Sequence, residues 1–188
     1  PPRQEVALPH VGTILYNMVV HPATGRVYVS NTEARNEVRF EGHGRFSTSL
    51  RGHLHEARIT VIDGSAVSPR HLNKHIAALP YGYHTEPMPP EVKEASLSMP
   101  VDLVLASDGS LYVAAFGSSK VGVFAAGEID DDTFQPGPEQ HIEVSGGGPS
   151  GLALDDANQR LYVLTRFDNA VKVIDLATRA EVAQHRLF

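Results

Sequence analysis

The chain has 188 residues, 41% hydrophobic and 20% charged, with a formal net charge of −6. That is the balance of an ordinary globular protein, and a net acidic chain lacks the electrostatic footprint of a general nucleic-acid binder. It contains no cysteine, which excludes disulfides, thiolate metal sites, a cysteine nucleophile and a haem attached through C-x-x-C-H within this segment, and no apolar run approaches the ~18 residues of a membrane-spanning helix.

Taken in chain order, the first residue is Pro1, and no basic stretch followed by an apolar one marks a leader. Residues 4–8 read as a short strand of the kind that closes a preceding unit. Residues 16–29 then read as an apolar strand, a polar turn carrying Thr24-Gly25, and a second strand, Val27-Tyr28-Val29. The same unit lines up without gaps at 100–113 and 150–163, with Val20, Val104 and Leu154 each eight residues before Tyr28, Tyr112 and Tyr162. Thr24-Gly25 and Asp108-Gly109 are hairpin signals, because glycine supplies a positive φ without steric cost. A third strand follows in each unit, at 58–63, 120–124 and 170–175, and a fourth is expected at 75–79, 141–144 and 181–184.

Four short antiparallel strands, repeated, make one blade of a β-propeller. The run Leu161-Tyr162-Val163-Leu164 is apolar on both faces, which suits a sheet packed between two others. A β-sandwich has similar strands but does not require the recurring strand–turn–Tyr-Val unit. The fold class expected is therefore all-β: a β-propeller fragment of three four-stranded antiparallel blades, plus the leading strand from a preceding blade. The expected bounds are 4–8 for the leading strand, 14–79 for blade one with an insertion at 32–57, 100–144 for blade two and 150–188 for blade three. Propellers usually have four to eight blades, so the remaining blades of a longer chain, or another copy, are expected to complete the ring.

The insertions follow from spacing. The middle Val of the third strand lies 11 residues beyond its Tyr in the second and third units and 33 beyond it in the first, so 22 residues are extra within 32–57. A further 12 are extra within 80–99. Strand direction alternates within a blade, so both insertions leave at the same end and are expected to stand together near the mouth of the central channel. Binding residues concentrate on loops carried by a rigid scaffold.

The first insertion holds Arg35, Arg39, Arg45 and Arg51, with Arg58 just beyond it, and His43, His53 and His55, among several glutamates. The arginines could grip an anionic ligand or a carboxylate partner by bidentate bonds, or pair locally with Glu33, Glu37, Glu41 and Glu56. His53 and His55 at i, i+2 would face one side of a strand, and with His43 they could form a three-His site for Zn, Cu or Fe. The alternative is solvated or hydrogen-bonded histidines. The second insertion carries Tyr81, Tyr83 and His84 in a Pro-rich loop that suits a ligand rim or a lid on a blade edge, and residues 91–95 follow Pro89-Pro90 as a short helix. In blade two, residues 128–132 form an acidic stretch between the third and fourth strands, at the opposite end from the insertions. It offers oxygen ligands for calcium but lacks the spacing of a calcium loop, so a solvated acidic turn is the expectation. Residues 86–156 carry a local balance of −11 and the remainder +5, a polar field that invites a charged partner.

At the Tyr-Val step the chain resembles the YVTN family of bacterial β-propeller repeats, related to the NHL-type repeat. Tyr28-Val29-Ser30-Asn31 matches that signature at three of four places, whereas Tyr112-Val113 and Tyr162-Val163 match only the Tyr-Val. Residues 59–63 and 171–175 look like the family's strand ending in Val-Ile-Asp, and residues 176–183 resemble its continuation. The resemblance implies a bacterial propeller, periplasmic or extracellular, and some proteins of this kind carry a c-type cytochrome domain alongside. No Gly-x-Ser-x-Gly elbow or Gly-x-x-x-x-Gly-Lys phosphate loop is present, and Gly146-Gly147-Gly148-Pro149 reads as a strand-entry turn. Two functions are therefore carried: a non-catalytic scaffold or binding module presenting loops on one face to a ligand or partner domain, or a segment of a redox or metal-dependent enzyme whose propeller docks a haem domain or holds a metal through His43, His53 and His55.

Overall fold

A computed structural model of the chain describes residues 7–35, 53–85 and 87–187. Twelve strands make three four-stranded meanders, each antiparallel throughout. Blade one is β1 (Ile14–Val20), β2 (Val27–Ala34), β3 (His55–Asp63) and β4 (Ala66–His71). Blade two is β5 (Pro100–Leu105), β6 (Leu111–Ala115), β7 (Lys120–Phe124) and β8 (His141–Glu143). Blade three is β9 (Pro149–Asp155), β10 (Arg160–Thr165), β11 (Ala170–Asp175) and β12 (Ala180–Arg186). The first hairpin of blades one and two turns on Gly25 (φ 75°) and Gly109 (φ 86°), in the left-handed region that glycine enters freely.

Packing decides between a propeller and a sandwich. A sandwich buries one core between two sheets, whereas here two separate cores lie between consecutive sheets. Tyr28, Ile59, Val61, Leu103, Val113 and Phe124 belong to the core between blades one and two. Val121, Val123, Ile142, Leu161, Val163 and Ile174 belong to the core between blades two and three. The repeat tyrosines mark the sequence of wedges. Tyr28 is 4% exposed and Tyr112 is 9% exposed, each covered by the following blade, whereas Tyr162 is 37% exposed.

Three expectations are corrected. The fourth strand of blade one is Ala66–His71, not 75–79, which instead belongs to a 3₁₀ turn over Lys74–Ala78. Gly64 (φ 58°) lets β3 turn back after two residues, and Pro69 is tolerated because β4 is the sheet's edge strand. The gapless alignment conceals a one-residue register difference: Tyr28 pairs with Val19 and Tyr162 with Ala153, nine residues earlier, but Tyr112 pairs with Val104, eight earlier. The acidic stretch is not a freely solvated turn. Helix α2 (Glu128–Asp131) is docked on blade one, where Arg70 Nε donates to the Ile129 carbonyl at 2.8 Å and Lys74 Nζ to Asp132 Oδ1 at 2.9 Å. Part of the charge asymmetry is thus satisfied inside the molecule.

Residues 4–6 of the expected leading strand lie outside the described residues, and Ala7 and Leu8 belong to no strand. Residues 11–13 lie along blade one: the Thr60 hydroxyl donates to the Val11 carbonyl at 2.7 Å, and Thr13 N to the Thr32 carbonyl at 2.9 Å. The second insertion is tied to the scaffold. The Asn73 amide bridges both backbone groups of Leu97, at 2.7 and 2.8 Å, and helix α1 (Pro90–Ala95) buries Val92 and Ala95. A Cβ on Gly122 of β7 would stand 2.7 Å from Leu97, so this glycine makes room for the insertion. No described helix is long and apolar enough to cross a membrane.

Candidate functional site

The two insertions meet. Tyr83, in a 3₁₀ turn of the second, stacks on His53 from the first, with ring centroids 3.8 Å apart and planes at 8°. Its hydroxyl shares a 3.2 Å hydrogen bond with His71 Nδ1 at the end of β4. His71 in turn stands directly opposite Arg58 across β3 and β4.

Glu56 is the hub of this cluster. Arg58 Nε donates to its Oε2 at 2.7 Å, and Arg35 and His53 Nε2 approach Oε1 at 2.8 and 3.0 Å. Strand geometry explains the grouping: Glu56 and Arg58, two apart on β3, project from one face, and Glu33 is paired opposite Glu56 on β2. Burial drives the Glu56 carboxyl upward, but hydrogen bonds from Arg35 and Arg58 outweigh it and hold the group below the usual carboxylate range. A carboxylate with both oxygens engaged by cations is a fixed acceptor rather than a proton carrier. Burial takes His71 down to about 4, so its ring is neutral near pH 7 and offers a hydrogen bond, not a charge.

Other expected residues are distributed differently. His55 is the first residue of β3 and is exposed; His53 precedes the strand, so strand alternation does not govern it, and its ring turns to Glu56 and Tyr83. Tyr81 is solvent-exposed and His84 lies in the same 3₁₀ turn as Tyr83. Arg39, Arg45 and His43 lie outside the described residues. Among the described residues, no group of three or more His, Asp or Glu is placed to hold a metal. In the acidic stretch considered for calcium, Asp130 and Asp132 are engaged by Arg26 and by Lys74.

A second feature at the same end was not legible as a site. The innermost strands β1, β5 and β9 each carry one bulge, next to Leu15–Asn17, Pro100–Asp102 and Pro149–Gly151. The skipped residues are Tyr16, Val101 and Ser150, and all three line one cleft of about 400 Å³ with Leu15, Met99, Phe116 and Arg166. A bulge re-aims a side chain out of the ladder, so one irregularity repeated three times furnishes the mouth of the channel. Met99 holds a left-handed backbone (φ 54°) there. Beneath the mouth, Asp102 links all three blades: it accepts from Asn17 Nδ2 of blade one and, at 2.7 Å, from Leu152 N of blade three. Gly147 and Gly148, both at positive φ, pass beneath Phe167, which meets Phe116 edge-on at 5.3 Å.

With the blades and their two cores in place, the comparisons agree on architecture. Among solved structures the chain is similar to hydrazine synthase of Kuenenia stuttgartiensis, with a TM-score of 0.60 and 18% identity over 88% of this chain and 46% of that one. It is also similar to a chain of a nidogen/laminin complex, with a TM-score of 0.52 and 13% identity over 93% of this chain and 48% of that one. The chain is a β-propeller segment. It spans about half the length of the solved chains it matches. At these identities the likeness concerns the fold alone. No family model and no curated protein sequence matches the chain.

Proposed function

We propose that this propeller segment, of the YVTN type, is a binding module that presents loops at one end to a ligand or partner domain, and that further blades or another copy complete its ring. The observation that carries the reading is the meeting of both insertions at one end of the blades, through Tyr83 on His53, where the bulged residues of the inner strands also open. A second support is chemical: the Glu56 cluster at that end commits its carboxylate to two arginines, an arrangement suited to holding loops in place rather than to moving protons. A bacterial extracytoplasmic setting, and a cytochrome-like domain as one partner this face would receive, extend the same reading.

Metal and haem analysis of the purified full gene product tests it. The expected result is that no stoichiometric transition metal depends on His53 and His55. A metal lost in the double variant His53→Ala/His55→Ala would overturn the binding-module reading in favour of a metal-dependent enzyme.

A further inference from the structure

The interface between blades one and two is fastened by a polar clasp. Arg26 lies two residues before Tyr28, and its Nε donates to Asp63 Oδ2 at the end of β3, at 3.0 Å. The Tyr28 hydroxyl donates to Asp130 Oδ1 at 3.0 Å, and Arg26 Nη1 approaches Asp130 Oδ2 at 2.9 Å. Blade one thus contributes a tyrosine, an arginine and an aspartate. The next blade contributes one carboxylate, from the connection between its third and fourth strands.

Blade three carries the same three residues in the same register. Tyr162 pairs with Val173 as Tyr28 pairs with Val61, and Arg160 stands opposite Asp175 with its Nη1 on that carboxylate. Blade two does not: Ser110 and Ala125 occupy the places of Arg26 and Asp63. The trio is therefore no automatic product of the repeat. On blade three it is left open, with Tyr162 37% and Leu164 39% exposed beside a shallow groove that Gly151, Ala153 and Val171 also line.

We propose that this face of blade three receives a further four-stranded blade that presents a carboxylate, from the connection between its third and fourth strands, to the Tyr162 hydroxyl and the Arg160 guanidinium. The inference rests on the reading that other blades complete the ring, and it names the chemistry by which the next one is recognised. Two donors side by side on an apolar face call for a shared anionic acceptor, and the equivalent face of blade one has one. A head-to-tail second copy fits less well. It would offer blade one, whose β3 and β4 are joined by Gly64 and Ser65 without a carboxylate, and whose outer face already carries residues 11–13.

The test places a benzophenone amino acid at position 164 of the full gene product, leaving Tyr162 and Arg160 intact, and mixes isotopically heavy and light copies before irradiation. The expected cross-link is within one chain, to a four-stranded repeat with Asp or Glu between its third and fourth strands. Replacing that acid by alanine should then lower the urea midpoint of the full gene product, and lower it less in a Tyr162→Phe background. A cross-link to a repeat without such an acid, or losses that simply add, overturns the carboxylate while leaving ring completion standing. A heavy–light cross-link, or none, overturns the further blade on this face.

Discussion

Asp130→Ala removes the carboxylate that blade two lends to blade one. The Tyr28 hydroxyl, donating to it at 3.0 Å from a residue only 4% exposed, loses its acceptor, and an unsatisfied buried donor costs about 1–3 kcal/mol. Arg26 loses one partner but keeps Asp63 at 3.0 Å and is solvated, so it adds little to the loss. Helix α2 stays docked through Arg70 on the Ile129 carbonyl, and the loss is therefore local. The expected destabilisation is about 2 kcal/mol, read from urea unfolding at constant slope. Tyr28→Phe alone should cost about 1 kcal/mol, and the double variant should fall short of additivity by about 1 kcal/mol. Burial and the Asp130 bond push the Tyr28 phenol up to about 12, and in Asp130→Ala its ultraviolet titration should move back toward 10. Additive losses together with an unmoved phenol would refute the clasp.

Two further outcomes follow from particular residues. Burial lowers His71 and His141 to about 4 each; the unfolded chain takes up these protons first, so stability is full above pH ~6.5 and declines as pH falls from there to about 4. Both rings are partly solvated, so the decline is on the order of 1–3 kcal/mol each; urea midpoints measured from pH 7.5 to 4.5 should fall, less steeply in His71→Gln, and a flat profile would contradict the burial. Gly147→Ala puts a Cβ at φ 77° and 2.9 Å from Phe167, whereas Gly25→Ala meets the same backbone strain in open space. The first should therefore lower the thermal midpoint more than the second, by a margin of about 1 kcal/mol in stability, and equal shifts would mean that the Phe167 ring yields freely.

Most strands were readable because a Val-Tyr-Val or Val-Lys-Val-Ile run needs partners on both sides, and the turns at Gly25 and Gly109 state where each hairpin closes. The fourth strand of blade one escapes local pattern because Ala66–His71 contains a proline and little apolar surface, while His75–Leu79 has the composition of a strand yet mostly belongs to a 3₁₀ turn. Edge position, which excuses Pro69, belongs to topology and not to local pattern. The candidate site was half visible. Arg35, His53 and Tyr83 stood out by residue type, but Glu56 as the carboxylate shared by Arg35 and Arg58 depends on the register of β3 against β2, and His71 as the partner of Tyr83 on where β4 ends. The cleft was invisible because Tyr16, Val101 and Ser150 line it as residues skipped by the ladder, and a one-residue bulge leaves no mark in a gapless repeat.

A residue that forms no rung is released from what a rung demands. Tyr16, Val101 and Ser150 occupy one structural seat in three successive blades, yet a bulky phenol, a branched aliphatic and a small hydroxymethyl differ widely in size and polarity. The architecture is thus indifferent to who sits there. The lining of the channel entrance can be exchanged one seat at a time, trading greasy for hydrogen-bonding character, while the walls that support it keep their composition.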